Sequence, residues 1–306
     1  MQGQKERNLT VLADGFSFLE GPRWHEGHLW ASDFYTNRVV KVDLAGKSEE
    51  AFEVPGQPSG LGWLPNGDTL VVSMLEKKIM RWNGLELTVH ADLSHVAESV
   101  LNDMVVDDQG RAYVGNTGVD LLAGEAIGSP ATLIRVDPDG SITKVAPGLG
   151  APNGMSITAD GKTMYVSEST ANRVLKFNID PDGSLSQKEI YYSDGDLPTS
   201  NDNLIGMIGS GEIRWLPDGM CIDAEGAIWV SDGIGSRVLR IKDGLVVEEI
   251  NTKDMGLLVP ACALGGDDGR TLFLMAVPDF RPEVCKANRD ASILTTRVEI
   301  PRAGKP

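Results

Sequence analysis

The chain has 306 residues, with 28 Lys or Arg against 44 Asp or Glu, which gives a formal net charge of −16 at pH 7. This balance argues against a nucleic-acid partner, because a phosphate-binding surface needs an excess of basic side chains, and it disfavours an anionic membrane. Hydrophobic residues make up 41% of the chain and charged residues 24%, which is a globular composition.

Three further features of the sequence bear on the cellular compartment of the protein. No stretch approaches the roughly 18 consecutive apolar residues of a membrane span, and the start of the chain lacks the basic head and apolar core of a secretory signal. The three cysteines, Cys221, Cys262 and Cys285, have neither disulfide-framework nor zinc-site spacing. We therefore expect a cytoplasmic protein. Cys221 and Cys262 lie in apolar, strand-like runs and are expected to be small core residues.

A short sequence motif recurs along the chain: a turn ending in Gly, a short apolar run, a second turn, and then a run of β-branched residues. Glycine suits such hairpin turns because it adopts positive φ without a Cβ clash. Three turns in each copy predict four short antiparallel strands. The anchoring glycines are Gly27, Gly67, Gly110, Gly161, Gly226 and Gly269.

Six four-stranded copies predict an all-β fold, a six-bladed β-propeller formed by a single domain over residues 1–306. The blades are expected to start near residues 20, 59, 102, 153, 218 and 261. The last copy lacks one strand, and Asn8–Ala13 is predicted to complete it beside Ser292–Ile300. The alternative fold is an open pair of β-sandwiches.

Two copies carry extra length. The insertion Ser193–Trp215 contains the apolar residues Leu204, Ile205, Met207 and Ile208, which predict a lid because exposed apolar side chains need a contact surface. The insertion Asp279–Ala291 lengthens the last blade and is either a functional segment or a tolerated surface loop. No amphipathic helix of ten or more residues is predicted.

Oxygen-bearing side chains recur seven or eight residues before the anchoring glycines, where the innermost strands converge on one mouth of the central channel. These side chains are Glu20, Asn102 or Asp103, Asn153 and Asp218. Carboxylate and amide oxygens suit a hard divalent cation such as Ca²⁺, Mg²⁺ or Mn²⁺. Taken singly, each residue would be a turn former, but agreement between four copies favours a cation site.

Four segments carry a family resemblance: FLEGPRW (18–24), LNDMVVDDQGRAYVGN (101–116), APNGMSITADGKTMYVSES (151–169) and LPDGMCIDAEGAIWVSD (216–232). They resemble the senescence marker protein/gluconolactonase (regucalcin-like) family of six-bladed propellers, over about residues 9 to 300. Members are metal-dependent hydrolases, mostly lactonases. The resemblance thus implies a lactonase that opens a carboxylic ester ring with the help of one divalent cation.

The resemblance also implies roles for particular residues. Glu20, Asn153 and Asp218 match the family's metal ligands, and Asp218 matches its catalytic acid/base. Asn102 matches the Asn beside the metal and is the second predicted catalytic residue. Calcium is the first choice of cation, with Mg²⁺, Mn²⁺ or Zn²⁺ as alternatives.

One position departs from the family pattern. Sugar lactonases carry an R-x-N-D motif, and the position of its Arg is Val100 here. Together with the apolar insertion, this difference predicts a small-molecule lactone or ester less polar than an aldonolactone. Two alternatives remain: phosphotriester hydrolysis at the same metal site, and a non-catalytic propeller that binds a metal. The oligomeric state is left open.

Overall fold

The computed structural model describes residues 7–121 and 123–303, and within them it contains 24 β-strands and two α-helices. The strands are β1 (Thr10–Phe16), β2 (Leu19–His25), β3 (His28–Asp33), β4 (Arg38–Val42), β5 (Ser48–Glu53), β6 (Pro58–Trp63), β7 (Thr69–Ser73), β8 (Lys78–Trp82), β9 (Leu87–Asp92), β10 (Leu101–Val106), β11 (Ala112–Asn116), β12 (Ala131–Val136), β13 (Ile142–Leu149), β14 (Pro152–Ile157), β15 (Thr163–Glu168), β16 (Arg173–Ile179), β17 (Leu185–Ser193), β18 (Pro217–Ile222), β19 (Ile228–Asp232), β20 (Arg237–Lys242), β21 (Leu245–Asn251), β22 (Leu258–Gly265), β23 (Thr271–Val277) and β24 (Ala291–Arg297).

The strands form six sheets of four strands each. The innermost strands β2, β6, β10, β14, β18 and β22 contact one another in this order, and β22 returns to contact β2, so the ring is closed. This arrangement confirms the predicted six-bladed propeller and excludes the open pair of sandwiches. That residues 1–306 form one domain stays a prediction, since residues 1–6, 122 and 304–306 lie outside the described parts.

The N-terminal strand closes the ring. Strand β1 pairs antiparallel with β24, with Thr10 opposite Thr295 and Phe16 opposite Ala291. The sixth sheet therefore has the order β1-β24-β23-β22 and joins both ends of the chain. The predicted role of this strand is confirmed, although the strand ends at Phe16 rather than at Ala13.

Burial decreases from the axis outwards. Strands β7, β11 and β19, each second from the axis, are buried at every residue, whereas the outermost strands β5 and β17 are largely exposed. An inner strand is covered by the neighbouring blades on both faces, which requires the continuous apolar runs seen in the sequence. The repeat pattern is therefore strongest where the blades pack.

A buried acid–arginine pair recurs between the second and third strands of three blades. Asp33 pairs with Arg38, Glu168 with Arg173 and Asp232 with Arg237, and all three carboxylates are fully buried. The Arg of each pair is the first residue of the third strand. These pairs explain why the sequence repeats T-N-R-V, A-N-R-V and G-S-R-V at this turn.

Replacing Asp33 with Ala is expected to lower the free energy of unfolding by about 3 kcal/mol, because the partly buried Arg38 guanidinium loses the buried carboxylate to which it donates two hydrogen bonds. The same carboxylate accepts a hydrogen bond of 2.9 Å from the Ser17 backbone N–H. Urea unfolding measures the loss. The control is Asp268→Ala, which removes a pair with Arg297 whose Asp side chain is 45% exposed and should cost far less, because exposed ion pairs contribute little to stability. Equal losses would contradict the buried-pair explanation.

Both insertions contain a short helix. Helix α1 (Leu204–Ser210) lies in the first insertion and helix α2 (Pro282–Asn288) in the second. Each has seven residues, in keeping with the expectation that the chain has no long amphipathic helix. In the described part of the chain no helix is long and apolar enough to cross a bilayer.

Candidate active site

A cavity of about 360 Å³ opens on the axis, at the end of the ring where the innermost strands begin. The four residues that the sequence predicted, Glu20, Asn102, Asn153 and Asp218, all line it. Each is the second residue of its innermost strand, in β2, β10, β14 and β18. The propeller thus brings together side chains that are up to 198 positions apart in the chain (218 − 20).

A β-bulge follows this position in every blade. The register between first and second strands shifts after Glu20, after Leu101, and at the matching place in the other four blades. Bulges bend a strand and re-aim its side chains. The residue after the cavity-lining side chain is Gly in three of the four cases, since the neighbouring strands approach closely: a Cβ on Gly154 would lie 2.3 Å from the Asp218 carbonyl oxygen.

The last blade differs from the sequence alignment. The alignment on glycines placed this blade's equivalent position at Ala261 or Cys262, but strand β22 begins at Leu258. Leu258 pairs with Val277 as Leu101 pairs with Asn116. The residue equivalent to Asn102 is therefore Val259, because strands β22 and β23 are each two residues longer than β10 and β11 while the turn between them has the same length. Val259 is fully buried and supplies no oxygen from its side chain.

Asp103 does not line the cavity. Its carboxylate accepts from the Arg23 guanidinium, with 3.1 Å between Nη2 and Oδ1, and the same Nη2 donates to the Met104 carbonyl at 2.7 Å. Both Arg23 and Asp103 are almost completely buried. Of the two residues that the sequence left open, Asn102 faces the cavity and Asp103 forms an ion pair inside the ring. Sequence reasoning missed Arg23, which stands in the quoted FLEGPRW segment.

The Asn153 side chain has its two ends in different surroundings. Its Nδ2 donates to Asp218 Oδ1 at 2.5 Å and to Ser169 Oγ at 3.1 Å. Its Oδ1 is buried and has no hydrogen-bond partner among the described residues. A buried amide oxygen without a partner is costly in an apolar surrounding. This oxygen is therefore suited to bind a ligand that accepts electron pairs, such as a metal cation.

Burial and repulsion between neighbouring carboxylates disfavour the ionised forms of Glu20 and Asp218. Burial raises the pKa of Glu20 to about 8, with a further contribution from the Asp103 carboxylate. Burial also raises the pKa of Asp218 well above its usual range, and the charges of Glu20 and Asp103 add to this effect. Arg23 pairs with Asp103, and its charge partly offsets the rise at Glu20. Ionised Glu20 and Asp218 therefore bring two negative charges to the site. A divalent cation would balance them.

The donor set is suited to such a cation only if amide oxygens take part. Nowhere in residues 7–121 and 123–303 do three or more His, Cys, Asp or Glu side chains form a group that could hold an ion. The candidate centre has two carboxylates, Glu20 and Asp218, and the amide oxygen of Asn153. This mixed set of oxygens is typical of Ca²⁺ and Mg²⁺ sites.

The cavity walls are mostly apolar. Val100, at the position of the family's Arg, lies in the wall. Lys286 of α2 is the one basic side chain that lines the cavity among the described residues. The apolar lining residues include Phe18, Phe34, Tyr35, Met74, Leu75, Leu216, Ile234, Val277 and Phe280.

Three segments border the mouth of the cavity. Leu204 and Ile208 of α1 line it, so the insertion that was predicted to be a lid lies at the mouth; that it opens and closes stays a prediction. The second insertion contributes α2. The third segment, residues 117–121 and 123–130, was missed by sequence reasoning, and Ala126 joins it to the first insertion through a bridge with Asn203. Its only sequence signal is the larger spacing between the third and fourth anchoring glycines.

Comparison with known proteins gives a consistent result. A family model described as SMP-30/Gluconolactonase/LRE-like region matches residues 18–277. The chain is 26% identical to Pentonolactonase XacC of Haloferax volcanii, over 94% of this chain and 92% of that protein. It is 24% identical to regucalcin of Xenopus laevis, over 92% of this chain and 90% of that protein.

A solved structure gives the same fold. The crystal structure of a calcium-binding protein, regucalcin, from Agrobacterium tumefaciens superposes with a TM-score of 0.78 at 20% identity, and the match covers 100% of this chain and 99% of that one. The family model spans most of the propeller and includes every residue of the candidate site. The chain therefore belongs to the SMP-30/gluconolactonase/LRE-like family.

Proposed function

We propose that this chain is a metal-dependent hydrolase that opens the carboxylic ester ring of a lactone less polar than an aldonolactone. The observation that carries the proposal is the unpartnered, buried Oδ1 of Asn153 beside the Asp218 carboxylate, at the base of an apolar cavity. Membership of the family and the name of the relative Pentonolactonase XacC support lactone hydrolysis.

Glu20, Asn153 and Asp218 would hold the cation. We propose Ca²⁺ first, because the donors are all oxygens and a relative of the same fold is described as a calcium-binding protein; Mg²⁺, Mn²⁺ and Zn²⁺ are the other candidates. A divalent cation at this place supplies Lewis acidity to the carbonyl group of a bound ester.

Asp218 would act as the general base and acid. The Oδ1 atom of Asp218 accepts a hydrogen bond from Asn153 Nδ2. The Oδ2 atom of Asp218 lies beside Gly233, another residue of the cavity lining. We propose that Oδ2 takes a proton from the attacking water and returns it to the ring oxygen that leaves. Asn102 is half-buried and lines the same cavity, where its amide would orient the substrate or the water.

The walls argue for an apolar substrate. Sugar hydroxyl groups bound against Val100 and the aromatic side chains would lose their hydrogen bonds to water without replacement. An alkyl-substituted lactone would instead gain about 0.8 kcal/mol for each buried methylene group. This choice of substrate rests on the cavity alone, since the pentonolactonase relative is named for a sugar lactone.

A panel of substrates tests the proposal. We expect kcat/KM for a γ-lactone with a short alkyl chain to exceed that for an aldono-1,4-lactone by roughly 10-fold or more, because differences of one to two methylene groups in a pocket give about this discrimination. A preference for the aldonolactone would refute the apolar substrate class. Faster turnover of a fluorophosphate would favour the phosphotriester alternative, and no turnover of any ester with Ca²⁺ present would favour a binding propeller.

A further inference from the structure

We propose that Ser169 is a positioning residue that fixes the side-chain amide of Asn153 with its oxygen towards the cavity. The inference rests on the proposed function in one respect, namely that Asn153 Oδ1 binds a cation. Ser169 directly follows strand β15, is 2% exposed, and lies within hydrogen-bond distance of the Asn153 amide nitrogen.

The Ser169 hydroxyl has a single proton and can therefore donate one hydrogen bond. The hydroxyl donates this proton to the Pro217 carbonyl oxygen at 2.7 Å. A backbone carbonyl can only accept, so no other assignment of this hydrogen bond is possible. The oxygen of Ser169 is left with lone pairs alone, and any second partner has to be a donor.

Asn153 supplies that donor. Its Nδ2 lies 3.1 Å from Ser169 Oγ and 2.5 Å from Asp218 Oδ1. If the amide were turned over, its oxygen would face the oxygen atoms of both neighbours, and its two N–H donors would take the buried place where Oδ1 now has no partner. Buried groups that lose their hydrogen bonds in this way cost roughly 1–3 kcal/mol each. Ser169 thus selects the orientation that presents Oδ1 to the cavity.

The same hydroxyl also holds two ligand-bearing strands together. Ser169 belongs to the fourth blade, which carries Asn153, while Pro217 directly precedes Asp218 in the fifth blade. A second buried hydroxyl makes a similar bridge: Ser167 Oγ donates to the Asp218 carbonyl oxygen at 2.8 Å. In the described part of the chain the Asn153 amide nitrogen bonds to Ser169 and Asp218 and not to Ser167, which makes Ser167 a matched control for the loss of a bridge between the blades.

The test measures Ca²⁺ affinity by isothermal titration calorimetry, in which Ca²⁺ is titrated into protein that a chelator has freed of metal. We expect Ser169→Ala to weaken binding by about 10- to 100-fold, the usual effect of losing a group that orients a metal ligand. Ser169→Thr keeps the hydroxyl and should restore affinity. Ser167→Ala should lower the melting temperature without a comparable loss of Ca²⁺ affinity. Unchanged Ca²⁺ affinity in Ser169→Ala would overturn the inference, and so would equal losses of affinity in the two Ala variants.

A double-mutant cycle separates orientation from general damage. In an Asn153→Asp background both side-chain oxygens are equivalent acceptors, so no orientation needs to be selected, and adding Ser169→Ala should cause no further loss of Ca²⁺ affinity. A further loss as large as in the wild-type background would overturn the inference. Circular dichroism establishes that each variant folds. If the wild-type protein itself binds no divalent cation, the proposed function fails, whereas cation binding that is indifferent to Ser169 refutes only this inference.

Discussion

Replacing Asp218 with Asn is expected to lower kcat for lactone opening by roughly 10²- to 10⁴-fold, the contribution of a positioned general acid–base. Asn has nearly the same shape and keeps an oxygen that can accept from Asn153 Nδ2. What it loses is the negative charge and the ability to carry a proton at Oδ2. The measurement is kcat at saturating lactone with Ca²⁺ present, together with a melting curve that establishes folding.

The matched control for this variant is Asp223→Asn, which also removes a buried carboxylate of the fifth blade. Asp223 pairs with Arg240 at the end of the ring opposite the cavity mouth, just beyond strand β18. Its loss should lower stability and leave kcat close to that of the wild type. A kcat near the wild-type value in Asp218→Asn, or an equal fall in the control, would show that Asp218 does not perform the proton transfer.

Removing divalent cations with a chelator is expected to abolish turnover and to lower the melting temperature, and refilling with Ca²⁺ should restore both. The physical reason is the imbalance between the carboxylates of Glu20, Asp103 and Asp218 and the single guanidinium of Arg23. A cation at 100 times its Kd stabilises the folded state by about 2.7 kcal/mol, which is large enough to measure by thermal unfolding.

Glu20→Gln gives the matching variant for this second prediction. It keeps the size of the side chain and removes one of the two candidate carboxylate ligands, so it should reduce both the Ca²⁺-dependent rise in melting temperature and the turnover. Glu225→Gln, a carboxylate paired with Lys242 on the surface, should keep both. Turnover that survives chelation, or a Glu20→Gln protein with the full Ca²⁺-dependent rise, would contradict the proposed centre.

Much of the candidate site could be predicted because the chain repeats. Glu20, Asn102, Asn153 and Asp218 hold the same place in four blades, and a propeller brings equivalent places to one mouth of its axis. The same logic predicted that the N-terminal strand would complete the sixth blade, since one copy lacked a strand.

Where the copies differ in length, the prediction became inaccurate. Strands β22 and β23 are each two residues longer than β10 and β11, so the position equivalent to Asn102 is Val259, two residues farther from the anchoring Gly269 than in the third blade. Residues 117–130 carry no distinctive pattern in the sequence. The described part of this segment lies beside the first insertion through contacts between residues far apart in the chain: the Ala126–Asn203 bridge, a hydrogen bond from the Ile127 N–H to the Asp202 carbonyl oxygen, and apolar packing of Ile127 near Met207. Neither feature leaves a periodic signal.

The amino-acid sequence by itself determined the number of blades, the closure of the ring and the set of oxygen-bearing side chains at one mouth of the channel. All three follow from a local sequence motif that recurs once in each blade. Only the tertiary structure decided that Asp103 turns to Arg23 while Asn102 faces the cavity, and that Ser169 and Asp218 hold one end of the Asn153 amide. These choices depend on hydrogen bonds between residues 16 to 80 positions apart in the chain; one lies within the fourth blade and the other two join different blades. Such contacts exist only once the blades have packed.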